Sequence, residues 1–78
     1  MINLKIGTNT ERKDIIVQVD DTLAEVLENN DINITGCALT LNGSLIPGVD
    51  VEKTFEELGV ADGTRATLIA VMKADSAN

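Results

Sequence analysis

CALTLNGSLI, residues 37–46, carries the plainest turn signal in the chain. Asn42-Gly43 stands between two apolar stretches, and a two-residue type I′ turn needs positive φ at both central positions, which Asn and Gly accept readily. A β-hairpin follows, with Cys37, Leu39 and Leu41 on one face of its first strand at a period of two. Pro47 has no N–H to give a ladder, so the second strand is expected to be short or to lie at a sheet edge. Downstream, KTFEELGV (residues 53–60) places Thr54 and Glu57 at capping-box spacing and Gly59 where a helix stops, which predicts a short one-turn helix near residues 55–58. ADGT turns the chain again. Ala66, Leu68 and Ala70 then alternate with Thr67, Ile69 and Val71, and a strand apolar on both faces is expected at the centre of a sheet.

Upstream of the hairpin, VDDTLAEVLENN (residues 19–30) changes the period: Thr22 and Glu25 form a second capping-box pattern, and Leu23, Val26 and Leu27 follow at helical spacing. A short amphipathic helix is expected, with Glu25 and Glu28 outward and Asp20 and Asp21 near its positive end. Asn29 and Asn30 tolerate the left-handed conformation that ends helices, and Ile32 and Ile34 are expected to cover the core edge. Ile2, Leu4 and Ile6, then Ile15, Val17 and Val19, each keep a period of two and predict an antiparallel hairpin. The elements make an α+β chain, a mixed sheet of four to five strands packed on one amphipathic helix. Residues 1–72 are expected to form one domain and residues 73–78, KADSAN, a disordered tail.

Thirteen acidic against six basic residues give a net charge of −7, which argues against nucleic acid and makes a basic partner electrostatically easier. The same charge also serves solubility alone. Phe55 is the only aromatic, so packing has to rely on aliphatic side chains. Cys37 stands alone and offers no disulfide framework, and MINLKIG alternates instead of forming a signal peptide. Cytoplasm, a monomeric state and no membrane insertion are the expectations; the longest apolar run, LIAVM, is strand-sized.

The order strand, strand, helix, strand, short strand, one-turn helix, strand resembles the β-grasp fold of ubiquitin. VDDT looks like the junction between ubiquitin's second strand and its helix, ALTLNGSLI is similar to its third strand, turn and fourth strand, KTFEELGV to its late one-turn helix, and ADGTRATLIAV to its closing strand. The helix region is roughly one turn shorter, and PGVDVEK is a longer loop. The chain also resembles the small ubiquitin-like proteins of Gram-positive bacteria, including those encoded with type VII secretion systems. The family's carriers are activated at an exposed Gly-Gly carboxylate, and no Gly-Gly occurs in the 78 residues. The apolar patch on ubiquitin's open sheet face corresponds here to Thr40, Thr67 and Ile69, with Ala38 and Val71 beside them. Ser44 stands where ubiquitin has a chain-linking lysine, so no linkage chemistry carries over.

Without histidine, and with one cysteine and dispersed carboxylates, the chain lacks a nucleophile paired with a base, and no enzyme activity is expected. Cys37 alternates with Leu39 and Leu41 and is expected to be a buried, inert thiol. DDTLAEVLE lacks the glycine and ligand spacing of a calcium loop, and the glycine turns lack the lysine of a phosphate cradle, so neither metal nor cofactor is expected. The expected function is noncovalent protein–protein interaction as a small ubiquitin-like module, an accessory of a bacterial secretion system in the setting the resemblance implies. It would act through Ala38, Thr40, Thr67, Ile69 and Val71 or through the edge Leu45-Ile46. The alternative is a sulfur carrier or protein modifier activated at its C-terminus.

Overall fold

In the computed structural model, which describes residues 1–8 and 10–72, alternation and turn chemistry become five strands and one helix. They are β1 (Ile2–Thr8), β2 (Arg12–Val17), α1 (Leu23–Asn29), β3 (Cys37–Leu41), β4 (Ser44–Ile46) and β5 (Arg65–Met72). A 3₁₀ helix spans Gly48–Glu52. The strands form one sheet in the order β2-β1-β5-β3-β4. β5 is central, as its two apolar faces required, and runs parallel to β1; the other three pairings are antiparallel.

Register sorts the side chains. Leu4 lies opposite Ala66, Ile6 opposite Leu68 and Leu39 opposite Ala70, so these residues share the face on which α1 packs. Leu23, Val26 and Leu27 are buried there, which matches the stripe at helical spacing. Phe55 is completely enclosed in this core, with Ile2, Leu4, Ile6 and Leu68 equally out of solvent. Ile32 and Ile34 are half-buried against the core edge, as their position after the helix suggested.

Both capping boxes form. Thr22 Oγ1 accepts from the Glu25 amide at 3.2 Å while Glu25 Oε1 accepts from the Thr22 amide, and Thr54 and Glu57 repeat the arrangement. The segment after Thr54 makes a single helical turn, with the Leu58 amide donating to Thr54 O and Phe55 O at 3.1 Å. This is the turn expected near residues 55–58; the regular short helix lies seven residues earlier, in the loop after Pro47. The Asn42-Gly43 turn has φ of 53° and 85°, the type I′ geometry the dipeptide predicts.

Three details differ from the sequence expectations. β2 ends at Val17 and Val19 lies beyond it, because the Asp21 carboxylate accepts from the Gln18 amide at 2.8 Å and turns the chain early. The left-handed residue after α1 is Asp31, with φ of 59°, while Asn30 keeps a negative φ and uses its Nδ2 to donate to Val26 O. Cys37 is half-buried instead of buried, because it opens β3 at the end of the sheet. The expected tail, residues 73–78, lies outside the described residues.

Candidate interaction surface

On the face opposite α1, the register brings the five predicted residues together. Ala38 pairs with Val71 and Thr40 with Ile69 across β3 and β5, and Thr67 lies two residues from Ile69 on the same strand. Strand alternation turns all five away from the core. Thr40 Oγ1 donates to Ile69 O at 3.3 Å, and the Asn42 side chain reaches back to accept from the Thr67 amide at 2.9 Å. The start of this face is therefore pinned by the same hairpin turn that sets its register.

Exposure within the face is uneven. Ile69, at its centre between Gly7 and Thr40 in the register, is only 6% exposed, and Ala38, Thr40, Thr67 and Val71 are half-buried. Accessible aliphatic side chains sit at the margins instead: Leu45 on β4, opposite Thr40, is 68% exposed, and Ile16 on β2, opposite Asn3, is 54% exposed. Of the predicted edge pair, Ile46 turns inward and is half-buried against the core.

Cations are the feature that the sequence expectations missed. Lys5, Arg12 and Arg65 all fall on this face, opposite Asp14, Gly7 and Asn3 respectively. The signal was available, since Lys5 and Arg65 occupy the outward phase of their strands, but a total charge conceals where charges lie. Lys5 Nζ is 3.8 Å from Asp14 Oδ1, and Arg12 Nε donates to Thr8 O at 3.2 Å. On the far side of the sheet the exposed charged groups of α1 are Glu25 and Glu28, beside the neutral Asn29. Among the described residues no three His, Cys, Asp or Glu side chains converge as a metal site requires, and no helix is long and apolar enough to cross a membrane.

Five strands in this order around one helix define a ubiquitin-like β-grasp. Among solved structures, the chain is similar to a ubiquitin-like protein from Trypanosoma brucei, with a TM-score of 0.60 at 22% identity, over 91% of this chain and 93% of that one. A ubiquitin-like protein from the hyperthermophilic archaeon Caldiarchaeum subterraneum is similar with a TM-score of 0.53 at 19% identity, over 92% of this chain and 96% of that one. No protein-family model matches the sequence, and no curated protein matches it significantly.

Proposed function

We propose that this protein is a noncovalent protein-interaction module that docks a partner on the open face of its sheet. The observation that carries this reading is a face built from β1, β5 and β3 that has α1 on its other side only, with exposed Leu45 and Ile16 at its margins. Exposed aliphatic side chains flanking a half-buried sheet surface suit an interface, where they lose water on docking. Catalysis plays no part in this role, which is that of a monomeric cytoplasmic adaptor; a secretion machinery is the setting suggested by the bacterial resemblance.

Leu45→Asp and Thr40→Arg test the surface without touching the core. Co-purification from the native host with each variant is expected to lose the partner that the wild type retains. Retention by both variants, with native circular dichroism, overturns the assignment of this face. An activated carrier would instead gain a thiocarboxylate or adenylate at its carboxyl end in the presence of ATP and an activating enzyme, visible as an intact-mass shift. No such shift is expected.

A further inference from the structure

Lys5, Arg12 and Arg65 give the open face a sign opposite to that of the whole protein. All three are exposed, and the one carboxylate among them, Asp14, is exposed as well. The Lys5–Asp14 pair is 3.8 Å long and open to water, a contact of little net worth that an incoming group readily replaces. Among the described residues Arg65 makes no ion pair. Between β2 and β5 the face dips into a groove of about 510 Å³, lined by Asn3, Lys5, Asp14, Ile16, Arg65 and Thr67. One aliphatic wall, two cations and polar floor groups are thus held on three adjacent strands.

We propose that this groove seats an acidic segment of the partner protein, with carboxylates on Lys5 and Arg65 and an aliphatic side chain against Ile16. The proposal names the partner chemistry of the interaction module and rests on the open face as the docking surface. A basic segment, which net charge alone would favour, meets two cations in this groove and Arg12 beyond it on the same face. Long polyanions feel the −7 of the whole molecule, whereas a short segment feels chiefly the charges within a screening length of about 8 Å. Arg65 adds a planar fork of donors that matches a carboxylate in geometry as well as sign.

The test is titration of the ¹⁵N-labelled full chain with a synthetic peptide alternating Glu and Leu, beside a matched peptide with Lys in place of Glu. The Glu peptide is expected to shift amides of β1, β2 and the start of β5. Its binding should weaken about tenfold or more in Lys5→Glu/Arg65→Glu, and fall as ionic strength rises from about 0.01 M to about 0.15 M, where screening shortens from about 30 Å to about 8 Å. Glu25→Lys/Glu28→Lys, which changes the opposite side by the same charge but in the other sense, is expected to leave the site of the shifts unchanged. Equal binding of the Lys peptide, or shifts centred on α1, overturns the proposal. So does salt-sensitive self-association abolished by Lys5→Glu/Arg65→Glu, because a second copy would then be the occupant. If Leu45→Asp releases the natural partner while Lys5→Glu/Arg65→Glu retains it, the docking face stands and the acidic segment falls.

Discussion

Gly7 has no room for a side chain. A Cβ there would collide with the Glu11 carbonyl oxygen, which folds back over β1 to accept from the Thr8 amide at 2.7 Å. Gly7→Ala is therefore expected to cost about 1–3 kcal/mol, read as a lower midpoint of urea unfolding with an unchanged slope; an unaltered midpoint would mean that the β1–β2 turn yields freely. Nothing in KIGTNT marks this close approach, because it depends on where the returning strand lays its backbone. Asn42 is the contrasting case. Its positive φ was legible in the Asn-Gly pair, whereas its side-chain bond to the Thr67 amide was not, since that partner is 25 residues away.

Between residue and fold, the chain uses one device twice. After α1 the Asp31 amide donates to Glu28 O and the Ile32 amide to Leu27 O; after Phe55 the Gly59 amide donates to Glu56 O and the Val60 amide to Phe55 O. Each set is a Schellman closure following a capping box, so a Thr, a Glu and a left-handed residue delimit both helical turns. One closure uses Gly59, but the other puts Asp31 in the left-handed region, where a Cβ is crowded. Asp31→Gly is expected to stabilise the protein by about 0.5–1 kcal/mol, a rise in Tm of a few degrees by calorimetry; a fall would show that the aspartate side chain contributes more than its backbone strain costs. The capping boxes were readable because they are local. The 3₁₀ helix was not, since Gly48–Glu52 buries no residue and follows no apolar period, and the early end of β2 depends on a carboxylate four residues beyond it.

At the scale of the molecule, a core with a single aromatic depends heavily on that side chain. Phe55→Ala is expected to remove about 3–5 kcal/mol, a large share of what a domain of this size holds, and to leave much of the population unfolded in mild urea. A loss below about 1 kcal/mol would place Phe55 outside the cooperative core. The core itself was legible, because its members obey periods of two and 3.6; the two-sided charge pattern was not, because it exists only once β1, β2 and β5 lie side by side. The parallel pairing of β1 with β5 has a consequence for biogenesis. During synthesis Ile2, Leu4 and Ile6 emerge ahead of the other strands, yet the neighbour that completes their ladder comes from the far end of the domain. Closing so long a loop is entropically slow, so the nascent chain carries a sticky, half-paired strand until translation of the domain is nearly finished, and shielding by a chaperone would matter most in that interval.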